Sequence, residues 1–179
     1  MEIGKEYLRI IIERFASVKS LGDKALAQLS EEEIHWRYNS GSNNVAIIVK
    51  HVSGNMVSRW SDFLTTDGEK EDRNREDEFR DDLSSKRELM TVWEKGWRVL
   101  FETLNGLREE DLVKTVTIRG ERHLVLEAIE RQLAHYANHV GQIVFIGKQL
   151  KDHQWESLSI PKGKSEEFLQ EMLEKHQDR

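Results

Sequence analysis

His135 and His139 stand four residues apart in HYANHVGQ, inside the run LVLEAIERQLAHYANHVGQIVFIGKQL, whose apolar spacing predicts one long helix. One turn of helix separates them, so their Cβ atoms lie ~6 Å apart on one face. Two imidazoles so placed could share a metal ion at roughly 2.1 Å each. At about 100° per residue, Ala128, His135, His139, Gln142 and Ile146 fall within about 60° of one another, with Gln132 on one edge. The strip is apolar at both ends and polar in its middle. Apolar ends predict a buried face, and buried polar groups need partners. His51, in IIVKHVSGN, offers one from a second helix, with Ile47 and Ile48 one turn before it and Asn55 one turn after. It points about 120° away from the stripe Val45–Phe63, so it reaches the interior only if that helix buries a wide arc. Three inward-facing histidines leave a metal with an open position, the arrangement of a catalytic or substrate-binding ion. The spacing alone is equally that of ordinary core or boundary histidines. The zincin pattern HExxH is absent, because Tyr136 stands where its general-base Glu would be. His35, His123, His153 and His176 fall in capping, turn or tail segments and read as surface residues.

The elements that must position these side chains are helical. There is one proline in 179 residues, and 3.6-residue periodicity dominates. A first helix is expected from about Ile3 to Leu29, with Gly22 as a candidate break. Ser30 and Glu33 form a capping box that opens a short helix through Trp36. NSGSNN is turn material, with Ser42 or Asn43 as the expected cap of a second long helix, about Asn44 to Leu64. Ser85 and Glu88 form another box, starting a third helix to about Leu104. TVTIRGERHL alternates before Arg-Gly and predicts a short hairpin. The fourth long helix spans about Leu124 to Leu150, and its IVFIG end is apolar nearly all round, predicting burial on both sides or a dimer contact. A loop holding the single proline and a short amphipathic helix follow. The expected fold is all-α: a four-helix bundle in one domain, residues 1–179, with a long connection between helices two and three and a short C-terminal helix.

Composition narrows the function. The net charge is −6, and nine acidic against four basic residues sit between Asp67 and Asp82. With no basic stripe to meet phosphates, nucleic-acid binding has no electrostatic support. The acidic run reads as a solvated connection. With no cysteine, any metal must be held by His, Asp or Glu, and a thiol must come from outside. No segment has the length of a membrane span, and MEIGKEYLRIII has too short an apolar stretch for a signal peptide, so a cytoplasmic protein is expected.

NNVAIIVKHVSGNMVSRWSDFLTTDGEK, followed far downstream by HYANHVGQIVFIGKQL, resembles the DinB-like (DinB/YfiT-like) superfamily of four-helix-bundle metalloenzymes. HxxxHxGQI and the late LSIPKGKS are similar to one of its subfamilies. The resemblance covers nearly the whole chain. It implies one His on helix two and His-x-x-x-His on the last core helix, here His51, His135 and His139, binding a divalent ion such as nickel or zinc. It further implies a homodimer, a small-molecule substrate, and a low-molecular-weight thiol (bacillithiol-type) used in S-transfer. A metal-dependent hydrolase, or a non-catalytic metal-binding or structural bundle, would use the same residues. Asn55, Gln132 and Gln142 are candidates to fix the imidazole tautomers from a second layer.

Overall fold

The computed structural model describes residues 3–176. Helix α1 (Ile3–Gln28) buries Leu8, Ile11, Phe15, Ala25 and Leu26, the helical spacing of one apolar face. Gly22 does not break it. A Cβ there would come within 2.6 Å of the Trp93 ring, so the glycine admits an indole from a neighbouring helix. The predicted capping box then forms: Glu33 N–H donates to Ser30 Oγ and Ser30 N–H to Glu33 Oε2, at 3.3 and 2.7 Å, around one 3₁₀ turn at Glu33–His35.

Helix α2 (Val45–Trp60) is capped one residue later than expected. Asn44, not Ser42 or Asn43, accepts the N–H of Ile47 at 2.9 Å, and its amide also donates to Asp81. Thirteen of the sixteen residues of α2 are buried, which supplies the wide arc that His51 requires. Helix α3 (Lys86–Gly106) starts at Ser85, which accepts from Glu88 N–H. The return bond of that box shifts back one residue, to Ser84 N–H.

Strands β1 (Thr115–Ile118) and β2 (Glu121–Leu124) make the predicted hairpin, antiparallel with Val116 opposite His123. Both turn residues, Arg119 and Gly120, have positive φ, the type I′ pattern that suits the strand twist. Asp67 holds that turn by accepting both of their N–H groups at 2.8 Å. Helix α4 (Val125–Lys151) follows directly, and α5 (Ser165–Lys175) ends the described chain with no buried residue.

The protein is therefore mostly helical with one two-stranded sheet, so the all-α expectation holds except for the hairpin. Helix α1 packs on α4 and α3, and α2 packs on α3 and α4. One core runs through all four, centred on Phe15, Trp60, Trp93, Trp97 and Tyr136. Within it Tyr136 accepts from Trp60 Nε1 at 3.0 Å and donates to Asn55 Oδ1 at 2.9 Å. The IVFIG end of α4 is not buried on both sides, since Phe145 is 64% exposed while Ile143 is fully buried. Among the described residues, no helix is long and apolar enough to cross a membrane.

The acidic connection departs from the expectation in part. Most of residues 61–85 are solvated as expected, but the segment folds back across α2, where the 3₁₀ turn Asp77–Phe79 packs against it and turns Glu78 inward. Glu78 is 6% exposed, and the Arg73 side chain 4%. Burial of charge is tolerated because the charges pair with each other: Arg73 grips both oxygens of Glu78 at 2.7 and 2.8 Å.

Candidate metal centre

The three histidines meet. His51 from α2 and His135 and His139 from α4 each present a ring nitrogen, all within 4.8 Å of one another. The Nε2 atoms of His135 and His139 are 3.1 Å apart. Two nitrogens on one ion at 2.0–2.1 Å stand about 2.8–3.4 Å apart across octahedral or tetrahedral angles, so the pair already has the spacing of chelating ligands. The three-histidine group could hold a metal ion.

The surroundings prepare the rings for that role. Glu78 Oε2 lies 2.9 Å from His51 Nδ1. A carboxylate can only accept here, so Nδ1 carries the proton and Nε2 is the ring nitrogen left to face the cluster. Burial raises the Glu78 carboxyl, but the bonds from His51 and Arg73 and the nearby guanidinium charge outweigh it and hold the group below its usual value. Gly54 makes this contact available: a Cβ at that position would lie 2.8 Å from Glu78 Cδ. Phe79, the next residue, stacks on the His51 ring with centroids 5.0 Å apart. On α4, Gln142 Oε1 is 3.2 Å from His139 Nδ1 and orients that ring in the same way.

Burial, together with the neighbouring His139 and His51 and the charges of Arg59 and Arg73, pushes His135 down to about 4. Burial and His51 lower His139 as well. Both rings are therefore neutral at pH 7, the form in which imidazole donates a lone pair. Two neutral imidazoles and a third ring fixed by a carboxylate are donors that suit a divalent ion.

The three candidates for the second layer separate. Gln142 contacts His139 as expected. Asn55 makes no hydrogen bond to a histidine among the described residues; it accepts from Tyr136 OH. Gln132 is 5% exposed with no hydrogen-bond partner on Oε1, and it lines a cavity beside His135. Among the other histidines, His153 and His176 are exposed as expected, whereas His35 pairs with Asp81. His123 is not a surface residue: it is 7% exposed, because the hairpin lays it against α4. Sequence reasoning missed Glu78, which lies in the charged run, where no periodicity distinguishes it from its neighbours.

Two cavities flank the cluster. A cleft of about 780 Å³ runs along α4, lined by Trp36, Tyr38, Ile48, Gln142, Phe145 and Ile146. It reaches the cluster through Gln142. A smaller pocket of about 170 Å³ includes His51 and His135 in its wall.

No curated protein and no solved structure matches the chain. A family described as "Protein of unknown function (DUF1572)" matches residues 2–164, which contain all four long helices and every residue of the histidine cluster. With nearly its whole length matched, the chain belongs to the DUF1572 family.

Proposed function

We propose that the protein is a divalent-metal-dependent enzyme on a DinB/YfiT-type four-helix bundle, with His51, His135 and His139 as ligands and S-transfer from a low-molecular-weight thiol as its reaction. The observation that carries this reading is the convergence of three imidazoles from two helices on one point, with Glu78 engaged on His51 rather than on the ion's side. A bound zinc or nickel ion supplies Lewis acidity, which stabilises the anion of a thiol or water at neutral pH.

The chain's own residues provide the rest. Glu78 and Gln142 fix two ring orientations, so the ligands need not reorganise. Arg73 holds Glu78 in its ionised form. Phe79 covers one face of His51 and keeps water from it. The apolar cleft beside Gln142 offers Trp36, Tyr38 and Phe145 to the apolar body of a substrate and holds it beside the cluster. The absence of cysteine fits a thiol supplied as co-substrate.

The test is to load the protein with zinc or nickel and follow loss of an aryl halide electrophile with and without an added small thiol. Thiol-dependent consumption that disappears in His139→Ala supports the transferase. Ester hydrolysis without thiol by the same loaded protein would instead make it a hydrolase.

A further inference from the structure

The small pocket beside the histidine cluster is strongly cationic. Arg59, Arg73, Arg75, Arg119 and Arg131 line it, together with Gln132, and its lining contains no acidic residue among the described residues. These arginines come from α2, the charged connection, the hairpin turn and α4, so the fold gathers them from four separate elements. The chain as a whole carries −6, which makes the concentration a local feature and not a reflection of composition.

Internal ion pairs leave much of this charge unmatched. Glu69 accepts from Arg59, Arg73 and Arg119, and Glu78 from Arg73. Two carboxylates thus pair with three of the five guanidiniums. Arg59 is 4% exposed, yet its Nε and Nη1 have no hydrogen-bond partner. Burial and the facing charges of Arg73 and Arg119 lower its affinity for its own proton. Arg75 makes no ion pair among the described residues, and the contact of Arg131 is with His123 Nε2 at 3.4 Å, not with a carboxylate. Unmatched buried donors and clustered like charges both cost stability, and an anion between them would relieve both.

From this arrangement we infer that the pocket is an anion subsite, which binds the carboxylate or phosphate end of a small-molecule reactant beside His51 and His135. At ~30 Å³ per water, about 170 Å³ holds an oxyanion with two or three further atoms, and no nucleotide. As part of a reaction the subsite rests on the metal-dependent reading above; as a binding site it does not. With the apolar cleft on the Gln142 side, it defines a reactant with one anionic end and one apolar end, its reacting atom between them.

Succinate and inorganic phosphate, titrated calorimetrically into metal-free and zinc-loaded protein at low salt, test the subsite. The variant is Arg75→Ala combined with Arg131→Ala, since both side chains are exposed and neither has a carboxylate partner to lose. Binding of either anion to the wild type, weakened at least tenfold in the double variant and by added salt, supports the subsite. The preferred anion distinguishes a carboxylate from a phosphate reactant. Unchanged zinc content and melting temperature in the variant show that the loss is local. No binding of either anion, or equal binding by wild type and variant, overturns the inference. Anion binding by a protein that takes up no zinc would leave the subsite standing and remove the metal reading instead.

Discussion

Glu78 lies 2.9 Å from His51 Nδ1 although 27 residues separate the two in sequence, and neither side chain is more than 9% exposed. The pair ties the charged connection to the second helix at the point where the imidazole must be aimed. Arg73 completes it from the other side of the carboxylate. Glu78→Gln keeps the shape and an acceptor but removes the charge. Zinc affinity, measured by competition with a chelator dye, is expected to fall about 10–100-fold with the fold intact. An affinity equal to wild type would mean that Glu78 serves packing alone.

Gly54 gives an independent route to the same contact. Gly54→Ala should favour the helix by up to ~1 kcal/mol on propensity alone. The added methyl collides with the Glu78 carboxylate, so the variant is expected to bind zinc more weakly and to melt no higher than wild type. A more stable protein with full zinc affinity would show that the close approach is not needed.

Tyr136 occupies the centre of the core and links Trp60 to Asn55. Tyr136→Phe leaves an indole N–H and an amide oxygen without their partner, and should cost about 1–3 kcal/mol. Urea denaturation of the metal-free protein measures this. Because the hydroxyl touches none of the three histidines, zinc stoichiometry should remain unchanged.

The depressed histidine predicts a pH dependence for the metal-free protein. Unfolded, His135 takes its proton near 6.5; folded, it does so only at about 4. Between those values the unfolded chain binds more protons, so stability falls as pH drops from 6.5 toward 4 and is unaffected by this group above 6.5. Denaturation midpoints at pH 7.5 and pH 5 should therefore differ, and His135→Asn should reduce the difference. An equal difference in the variant would assign the effect elsewhere.

Much of this was legible in the chain. The four helices follow from apolar periodicity, the Ser30–Glu33 box from its spacing, and the hairpin from alternation before Arg119-Gly120. His135 and His139 follow from one turn of helix, and His51 from its place among isoleucines. What escaped notice shares a cause. Glu78 and the arginine pocket depend on how a segment without periodicity folds back, and residue types alone cannot say which of nine acids turns inward. The cap at Asn44 is not distinguished by sequence, because Ser42 and Asn43 also have side chains able to cap. The burial of His123 follows from the strand register that lays it against α4, which its place beside a turn does not reveal.

The most direct measurement is metal content by elemental analysis of untagged protein purified without chelators, with His51→Ala, His135→Ala and His139→Ala alongside. The account predicts close to one zinc or nickel per chain in the wild type, or stoichiometric uptake when either ion is offered, and its loss in each variant with helical content retained. A wild type that stays empty and takes up neither ion would contradict it. The three histidines would then be core residues, held together by packing and by Glu78 alone.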